Sequence, residues 1–408
     1  MELAQRKIVL GLTGGVACYK AAELTRALIR AGASVQVVMT AAATHFITPV
    51  TMQALSGQPV YTDQWDARIG NNMPHIDLSR AADAIVIAPC SADFLFKLAR
   101  GACDDLLSTL CVARPLGLPL LVAPAMNVEM WQNPATQRNV AQVRADGIGI
   151  LGPDAGAQAC GETGMGRMLE PPALLEEIIA AFQPQHLAGK RVLVTAGPTF
   201  EAIDPVRGLT NLSSGKMGYA IARAAREAGA TVTLVSGPTA LTSPTGVQRI
   251  DVRSAAEMHA AVMACVAGQD IFIAVAAVAD WTVVNTSLQK IKKNGDEAFP
   301  TLQFARNPDI LADVARLPVP PFCVGFAAES ENLLQHGSEK RLRKQIPLLV
   351  GNIGHHTFGR DDNELLLFDA AGTTHLPRAS KIALARQLVA EIARRLSTGA
   401  VPFAPTVL

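Results

Sequence analysis

The sequence predicts an α/β protein of two domains, each built on a parallel β-sheet with helices on both faces. Short apolar strands alternate with amphipathic helices, which is the pattern of such a sheet. The alternation stops at the polar segment Phe182–Gly189 and starts again at Lys190. Of the 408 residues, 49% are hydrophobic and 5% aromatic, which suits buried strands and closely packed helices. We therefore expect one domain over residues 1–189 and a second over residues 190–408.

The first domain begins with a strand, a glycine turn and a helix. The turn Gly11–Gly15 separates the strand Lys7–Leu10 from the helix Val16–Ala31, which ends at Gly32. Further strands are predicted at Ser34–Thr40, Ala84–Ala88 and Pro119–Ala123.

The second domain repeats this order without sharing a motif with the first. A strand is predicted at Arg191–Ala196, a helix at Gly218–Ala228 and the next strand at Thr231–Ser236. Another buried strand is predicted to run from Ala274 to Ala279 and to end at Asp280.

Composition excludes several classes of protein. The formal net charge is +1, so we expect no nucleic-acid partner. The cysteine count of seven is odd, and the sequence contains no Cys-x-x-Cys, which favours a reducing compartment over a disulfide or zinc framework. No signal peptide and no membrane-spanning apolar run are found, so we expect a cytoplasmic protein without a membrane partner.

Polar and small residues follow several strands of the first domain. Thr13, Gly14 and Gly15 precede a helix, where glycines and unpaired amides favour a phosphate, although an ordinary turn remains an alternative. The spacing is not Gly-x-Gly-x-x-Gly, which disfavours an NAD site. Because ligands bind at the carboxyl ends of parallel strands, Thr40, Ser91 and the run Asp104–Thr109 suggest a phosphorylated planar cofactor. Alternatively, Ser108 and Thr109 bond only to their own helix backbone.

Three further motifs supply the groups of one active site. They contain the imidazole of His75, the carboxamide of Asn127 and the thiol of Cys160, which lies in the glycine-rich run Ala159–Arg167. Each has a plainer alternative, since His75 can cap a helix, Asn127 can be a turn residue and Cys160 can be a buried apolar residue.

The second domain carries a glycine-containing turn and several lysines. Thr210–Gly218 is not a P-loop, because Gly208 is at the wrong spacing and Met217 replaces the Ser or Thr that holds magnesium. The turn can still bind an anion. The cluster Lys290–Lys293 and the pair Lys340 and Lys344 suggest a triphosphate, with a solvated surface as the alternative.

The first half of the chain resembles the flavodoxin-like FMN-dependent cysteine decarboxylases, which include phosphopantothenoylcysteine decarboxylase. The likeness is carried over about residues 5–180 by the glycine turn, Pro89–Asp93, Asp104–Thr109, Pro124–Asn127 and Ala159–Arg167. Cys90 stands where an alanine is expected. The resemblance implies an FMN site formed by Thr13, Gly14, Gly15, Thr40, Ser91, Ala92, Ser108 and Met126.

The same resemblance implies a decarboxylation of 4′-phosphopantothenoylcysteine. Oxidation of the substrate thiol by flavin gives a thioaldehyde, which accepts the electrons as CO₂ leaves. His75 is then the base or orienter near the thiol, Asn127 the carboxylate binder and Cys160 the proton donor for the final reduction. The glycines around Cys160 fit a flap that closes over the substrate.

The second half, from about residue 190, resembles the CTP-using bacterial phosphopantothenate–cysteine ligases. The resemblance implies that Asn211 acts on an acyl-cytidylate, that Mg²⁺ accompanies the nucleotide through ligands the sequence does not identify, and that Asp280 accepts from the cytosine amino group. It implies CTP contacts from Ala274, Val275, Ala276, Asp280, Lys290, Pro308, Asp309, Ile310, Leu311, Phe326, Lys340 and Lys344.

Several positions depart from the ligase pattern, among them Gly351, which stands in place of Ala. Phe200 and Ala202 flank Glu201 in place of Arg and Pro, Gly208 replaces an aromatic residue, and Ile353 replaces an acid. The loss of the acid puts the role of that loop in doubt.

Together the two halves predict a bifunctional enzyme of coenzyme A biosynthesis, in which ligation precedes decarboxylation. Alternatives are a flavin-dependent decarboxylase of another thiol, such as a peptidyl cysteine, and a non-catalytic flavodoxin-like regulator of the halotolerance phosphatase-inhibitor type. The resemblance also implies a homo-oligomer, with trimeric decarboxylase contacts, dimeric ligase contacts and a dodecamer that satisfies both.

Overall fold

The computed structural model describes residues 1–65, 73–292, 301–329, 333–353 and 360–397. Contacts between Cα atoms divide the chain into unit 1, Met1–Phe182, and unit 2, Gln183–Leu408. Among the sequence motifs, Lys293 and Gly359 lie outside the described residues, as does the side chain of Ile353.

Unit 1 is built on a five-stranded parallel sheet with the strand order β2-β1-β3-β4-β5. The strands are β1 Lys7–Leu12, β2 Ser34–Met39, β3 Ala84–Cys90, β4 Leu120–Pro124 and β5 Gly149–Ile150. This is the flavodoxin-like order, so the predicted fold of the first domain is confirmed. Strands β1 and β3 are neighbours at the point where the order reverses, which is where such sheets bind ligands.

Helices cover both faces of this sheet, because apolar residues of the strands alternate between two cores. One core packs Leu24 and Ile178 against the sheet, and the other packs Phe94 and Leu107. The helices are α1 Cys18–Arg30, α2 Pro49–Ser56, α3 Pro74–Ala81, α4 Ala92–Arg100, α5 Leu106–Ala113, α6 Val128–Gln132, α7 Pro134–Ala145 and α8 Pro171–Ala180. Helix α1 starts two residues later than predicted, because the glycine turn extends to the N-cap Ala17.

A β-hairpin of unit 1 stands apart from the sheet. Its antiparallel strands are β6 Asp154–Ala157 and β7 Thr163–Arg167, and its turn contains Cys160. The glycines that suggested a flap therefore belong to a two-stranded ribbon.

Unit 2 is built on an eight-stranded sheet with the order β12-β11-β8-β13-β16-β17-β18-β19. These strands are β8 Arg191–Ala196, β11 Thr231–Ser236, β12 Gln248–Asp251, β13 Ile271–Ala274, β16 Phe322–Glu329, β17 Leu348–Ile353, β18 Asp362–Asp369 and β19 Gly372–Ser380. The first six are parallel in the Rossmann order, so the predicted Rossmann-like fold is confirmed. Strands β18 and β19 are antiparallel, which the sequence pattern did not predict.

Two cores again cover the faces of the sheet. One is formed with α9 and the C-terminal helix, and the other with α10, α11 and residues around Ile346. The helices are α9 Lys216–Glu227, α10 Ala255–Cys265, α11 Ile310–Ala315, α12 Leu333–Lys344 and α13 Lys381–Ser397. Two short antiparallel pairs are β9 Phe200–Ala202 with β10 Gly208–Thr210, and β14 Trp281–Val283 with β15 Phe304–Arg306.

One predicted strand is wrong. The sequence predicted a strand from Ala274 to Ala279, but β13 ends at Ala274 and the following residues form a loop. The amides of Val275 and Ala276 donate to the hydroxyl of Thr195, each at 3.2 Å, rather than to a neighbouring strand.

No helix within the described ranges is both long and apolar enough to cross a membrane.

Candidate functional sites

In unit 1, Thr13 and Ser91 meet at the carboxyl edge of β1 and β3. The Thr13 hydroxyl donates to the carbonyl oxygen of Pro89 at 2.8 Å and accepts from the amide of Ser91 at 2.8 Å. Thr13 is buried, so these bonds fix the relative position of the two strand ends at the switch point.

The turn that precedes α1 has the features of a phosphate site. None of the residues that the structure describes accepts a hydrogen bond from the amides of Gly14 or Gly15. Helix α1 has no side-chain N-cap, and the amides of its first residues, Cys18 and Tyr19, donate to the carbonyls of Gly15 and Val16 in the turn. A Cβ at Gly14 would lie 2.6 Å from Cβ of Ala42, whereas one at Gly15 would enter open space. The geometry fits an anion held by the amides of Gly14 and Gly15 just before the helix.

The other predicted cofactor residues of this edge serve local structure. Ser91 caps α4 by accepting from the amide of Phe94, which places Ala92 at the first residue of that helix. Ser108 is buried and forms a capping box with Asp105, and Thr109 donates to the carbonyl of Asp105. The alternative interpretation, in which Ser108 and Thr109 bond to their own helix backbone, is therefore observed. Thr40 accepts from the amide of Ala43 at 3.3 Å.

The hairpin β6–β7 lies against the segment that carries Met126 and Asn127. The amide of Met126 donates to the carbonyl of Gly166 at 3.0 Å, and the side chain of Gln158 accepts from the amide of Val128 at 3.0 Å. Gly166 has φ of +131°, and a Cβ there would lie 2.4 Å from the carbonyl oxygen of Met126. Only glycine allows this close approach.

Asn127 and Cys160 come together through Glu162. The Glu162 atom Oε2 lies 3.3 Å from Sγ of Cys160 and 3.4 Å from Nδ2 of Asn127. Asn127 also caps α6, with Oδ1 accepting from the amide of Met130 at 3.0 Å, so its predicted alternative as a residue before a helix is also observed. Cys160 is exposed, which makes the alternative of a buried apolar residue wrong.

His75 lies in the first turn of α3, which packs against α5. The described residues give its side chain no hydrogen bond to Asn127 or to Cys160. The structure therefore brings two members of the predicted constellation together and leaves the role of His75 a prediction.

The buried thiols of unit 1 differ from Cys160. Burial raises the pKa of Cys18 to about 11 and that of Cys111 to about 12, and it raises the pKa of Cys90 well above its usual value. Cys90 fills part of the core beside Cys111 and Phe94. These thiols stay protonated and enclosed, so they are unsuited to act on a substrate.

In unit 2, a cavity of about 1050 Å³ opens at the carboxyl ends of β8, β13, β16 and β17. Its lining includes eleven of the twelve predicted nucleotide contacts together with Asn211. The eleven are Ala274, Val275, Ala276, Asp280, Pro308, Asp309, Ile310, Leu311, Phe326, Lys340 and Lys344. Lys290 does not belong to this lining and is exposed.

The loop that follows β13 is held by hydroxyl groups. Thr195 accepts from two amides of the loop, and the buried Thr199 accepts from the amide of Ala279 at 2.9 Å. Asn211 donates from Nδ2 to the carbonyl of Ala277 at 2.9 Å. These bonds give one wall of the cavity a fixed backbone.

Lysines lie on two sides of this cavity. Lys344 pairs with Asp309, which caps α11 by accepting from the amide of Ala312. Burial opposes ionisation of Asp309, but the Lys344 ammonium and that amide hold its pKa below the usual value. On the other side, Lys216 donates to Asp361 at 2.6 Å and lowers the pKa of that carboxyl group.

Sequence reasoning missed Lys216, Asn363 and Lys381 as residues of the cavity. Lys381 is buried, and burial lowers its pKa. Lys216 was part of the rejected P-loop motif, so that motif was a usable signal. Asn363 and Lys381 belong to the unpredicted antiparallel edge and to the helix after it, and no local pattern marks them.

A buried carboxylate organises the segment that carries Lys290. Asp204 accepts from the amides of Val206 and Arg207 at 2.8 Å and from the amide of Ile291 at 3.1 Å. The Arg207 guanidinium also pairs with it, and these bonds hold the pKa of Asp204 far below its usual value. Arg207 donates in addition to the carbonyl of Ile291 at 2.8 Å. Residues 203–207 are thereby tied to the residue that follows Lys290.

The departures at Phe200 and Gly208 are linked in the structure. A Cβ at Gly208 would lie 2.3 Å from Cζ of Phe200, so the ring of Phe200 takes the space of a larger side chain at position 208. The guanidinium of Arg253 stacks over this ring, 4.6 Å from its centroid. Between the two departures at 200 and 202, Glu201 is buried and accepts from the amide of Ala255. Nothing in the structure explains Ala202.

Within the described residues, no group of three or more His, Cys, Asp or Glu side chains is placed to hold a metal ion.

Comparison with known proteins assigns both halves of the chain. The Flavoprotein family model matches residues 1–183, and the model of the DNA/pantothenate metabolism flavoprotein C-terminal domain matches residues 187–396. The chain is 50% identical over 388 residues to the coenzyme A biosynthesis bifunctional protein CoaBC of Vibrio cholerae, covering 94% of this chain and 97% of the relative. It is 48% identical to the CoaBC protein of Vibrio vulnificus strain YJ016, covering 96% of this chain and 98% of the relative.

Among solved structures, the C-terminal domain of a CoaBC protein matches with a TM-score of 0.46 and 36% identity, over 52% of this chain and 99% of that domain. The family models and the near full-length relatives together show that the chain belongs to the family of bifunctional CoaBC proteins of coenzyme A biosynthesis.

Proposed function

We propose that the protein catalyses two consecutive steps of coenzyme A biosynthesis. Unit 2 joins 4′-phosphopantothenate to cysteine using CTP, and unit 1 decarboxylates the resulting 4′-phosphopantothenoylcysteine to 4′-phosphopantetheine. The proposal rests on one observation. Each unit collects its own set of sequence-predicted residues, with Asn127 beside Cys160 in unit 1 and Asn211 in the lysine-lined cavity of unit 2.

FMN is the proposed cofactor of unit 1. The amides of Gly14 and Gly15, just before α1, suit its phosphate. The other proposed contacts are Thr13, Thr40, Ser91, Ala92, Ser108 and Met126. When bound, FMN would supply the two-electron oxidation of the substrate thiol that makes loss of CO₂ possible, and then return the electrons.

The chain's own residues bind the substrate and move its protons. Asn127 would donate from Nδ2 to the substrate carboxylate, as it does to carboxylates of the chain itself. Cys160, on the accessible turn of the hairpin, would donate its thiol proton to the carbon that has lost CO₂. His75 would remove or orient the proton of the substrate thiol.

In unit 2, the proposed reaction activates a carboxylate. The pantothenate carboxylate attacks the α-phosphorus of CTP, pyrophosphate leaves, and the cysteine amine then displaces CMP from the acyl-cytidylate. Lys340 and Lys344 would balance the phosphate charge, Asp280 would accept from the cytosine amino group, and Asn211 would act on the acyl-cytidylate. Lys290 would also contact CTP, and Mg²⁺ would bind together with the nucleotide.

Mass analysis of the products tests the assignment. Purified protein with FMN, 4′-phosphopantothenate, cysteine, CTP and Mg²⁺ should yield 4′-phosphopantetheine, CMP and pyrophosphate. Without CTP it should convert only supplied 4′-phosphopantothenoylcysteine. Decarboxylation of a cysteine-terminated peptide with no turnover of 4′-phosphopantothenoylcysteine would contradict the proposal.

We also propose a cytoplasmic homo-oligomer with trimeric contacts of unit 1 and dimeric contacts of unit 2. Apolar side chains such as Tyr19 and Phe46 are exposed on unit 1, and Trp281 and Leu288 are exposed on unit 2. Mass photometry should give a dodecamer, and a monomer at micromolar concentration would contradict this.

A further inference from the structure

One carboxylate oxygen of unit 1 contacts both groups to which the decarboxylase proposal assigns chemistry. Oε2 of Glu162 accepts from Sγ of Cys160 at 3.3 Å and from Nδ2 of Asn127 at 3.4 Å. Glu162 itself was assigned no role by the sequence motifs.

The orientation of the Asn127 amide is fixed by the helix that follows it. Its Oδ1 accepts from the amide of Met130, so Nδ2 must face away from α6 and present two donor hydrogens. In the structure, these hydrogens face Oε2 of Glu129 at 2.7 Å and Oε2 of Glu162 at 3.4 Å. The position proposed for the substrate carboxylate is therefore bordered by two carboxylates of the protein.

The two glutamates are similar in chemistry but differ in what else they hold. Both are exposed, so neither contact with Asn127 costs much to break. Glu162 also accepts from the Cys160 thiol at 3.3 Å and is nearer to it than Oε1 of Gln158 at 3.9 Å. Among the described side chains, Glu129 bonds only to Asn127. Displacing Glu162 from Asn127 therefore also moves the carboxylate that accepts from the Cys160 thiol.

An incoming carboxylate is well suited to displace Glu162. Two carboxylates that share one amide repel each other, and the longer of the two contacts with Asn127 is the weaker one. A ligand without a carboxylate cannot take the place of Glu162 on Asn127 in this way.

We infer that Glu162 is a positioning and specificity-determining residue of the decarboxylase site. Its carboxylate occupies the place of the substrate carboxylate on Asn127 and holds the Cys160 thiol. Arrival of the substrate carboxylate displaces Glu162 and releases the thiol toward the substrate. This inference rests on the proposed function, since it takes Asn127 as the carboxylate binder and Cys160 as the proton donor.

The first test measures binding without turnover. The ligands are two unreactive analogues in which a hydroxyl replaces the thiol, namely 4′-phosphopantothenoylserine, which keeps the carboxylate, and 4′-phosphopantothenoylethanolamine, which lacks it. Calorimetry on the FMN-loaded protein compares Glu162→Gln with the matched control Glu129→Gln. Glu162→Gln removes the competing charge but keeps an acceptor for the thiol.

We expect Glu162→Gln to bind the carboxylate analogue about threefold more tightly and the other analogue as wild type does, which is the scale of an exposed charge contact. Equal changes for both analogues, or the same selective change in Glu129→Gln, would overturn the inference.

The second test concerns the thiol. Glu162→Ala removes the charge and the nearer acceptor of the Cys160 thiol, and it leaves only Oε1 of Gln158, 3.9 Å away. The thiol is then no longer held at Glu162 until the substrate carboxylate arrives. With 4′-phosphopantothenoylcysteine, we expect the share of released CO₂ that is matched by the oxidised enethiol, rather than by 4′-phosphopantetheine, to rise several-fold. The two electrons taken from the substrate would then remain on the FMN. A product ratio like that of wild type and of Glu129→Ala would remove Glu162 from the positioning of Cys160.

Failure of the proposed function is distinguishable from failure of this inference. If wild-type protein with FMN does not decarboxylate 4′-phosphopantothenoylcysteine, the proposed function fails. If it does, and Glu162→Gln behaves as Glu129→Gln does, only the role of Glu162 fails.

Discussion

The candidate sites of the two units lie at the same kind of sheet edge but are built by different means. In unit 2, a cavity of about 1050 Å³ is walled by a backbone loop that Thr195 and Thr199 hold in place. In unit 1, Asn127, Glu162 and Cys160 meet between an exposed hairpin turn and the start of a short helix. The first site suits a large charged nucleotide, and the second suits a group that moves with its substrate.

The difference teaches what each kind of residue can do. The unit 2 wall is fixed by buried hydroxyl groups, so its residues are suited to binding and orientation. The unit 1 contacts are exposed and weak, so its residues can exchange partners during a reaction. Variants of one site should therefore leave the other reaction intact.

The largest expected effect is that of Cys160→Ala on decarboxylation. Loss of a general acid typically costs about 100-fold or more, so 4′-phosphopantetheine formation should fall by that factor while CO₂ is still released. The product should stall at the oxidised enethiol, which mass spectrometry detects. Ligation should proceed at the wild-type rate.

The matched control is Cys103→Ala, which removes another exposed thiol of unit 1. A normal yield of 4′-phosphopantetheine from Cys160→Ala would remove Cys160 from the mechanism.

The second effect concerns Asn211→Ala in unit 2. This change removes the amide that donates to the carbonyl of Ala277 in the cavity wall and to which we assign the action on the acyl-cytidylate. We expect amide formation to fall about 100-fold, as when an oriented donor is lost, with no change in decarboxylation of supplied 4′-phosphopantothenoylcysteine.

The control is Asn285→Ala, since Asn285 also donates to a backbone carbonyl of unit 2 but does not line the cavity. Equal loss of both activities in Asn211→Ala would refute the division of labour between the units.

Much of the unit 2 site could be predicted because it follows the ends of parallel strands. Short apolar runs locate β8 and β13, and the residues after them line the cavity. The end of β13 was misplaced because the apolar run continues through a loop that bonds to Thr195. An apolar run in the sequence does not reveal the point at which backbone amides begin to donate to a side chain instead of to a neighbouring strand.

The parts that could not be predicted depend on distant contacts. Asn363 and Lys381 reach the cavity only because β18 and β19 extend the sheet in the antiparallel sense. In the sequence, Glu162 is one polar residue of a glycine-rich run, and the role we infer for it depends on its contact with Asn127, 35 residues away. Sequence patterns locate strand ends, whereas such pairings require the fold.

A smaller effect is expected for Asp204→Asn, which sharpens the view of unit 2 as a rigid site. The Asp204 carboxylate accepts hydrogen bonds from three backbone amides and pairs with Arg207. In Asp204→Asn the side chain is uncharged, and its NH₂ group faces some of these N–H donors without an acceptor between them. We expect the Tm of unit 2 to fall by about 5 °C at pH 7 and ligation to weaken through the Lys290 segment.

The pH dependence of this difference has a definite sign. Because the folded pKa of Asp204 is lowered, its ionised form stabilises the fold above the pKa of the unfolded chain, which is about 3.9. The Tm difference between wild type and Asp204→Asn should therefore be complete at pH 7 and shrink as the pH falls below about 4. Asp251→Asn, at an exposed ion pair, is the control and should change Tm little. A Tm difference that grows on acidification would contradict the assignment.

The smallest effect tests whether two departures from the ligase pattern compensate each other. In Gly208→Ala, the new Cβ would lie 2.3 Å from Cζ of Phe200, so the ring must shift and lose part of its stacking with Arg253. We expect a destabilisation of about 1–2 kcal/mol, measured by chemical denaturation. Phe200→Ala removes the ring. Gly208→Ala should therefore destabilise the Phe200→Ala protein less than it destabilises the wild type, and a double-mutant cycle gives that difference as the coupling energy.

Some cost should remain in the double variant, because the carbonyl oxygen of Glu201 would also lie 2.7 Å from the new Cβ. Additive effects of the two changes would mean that the strand backbone, rather than Phe200, requires glycine at position 208.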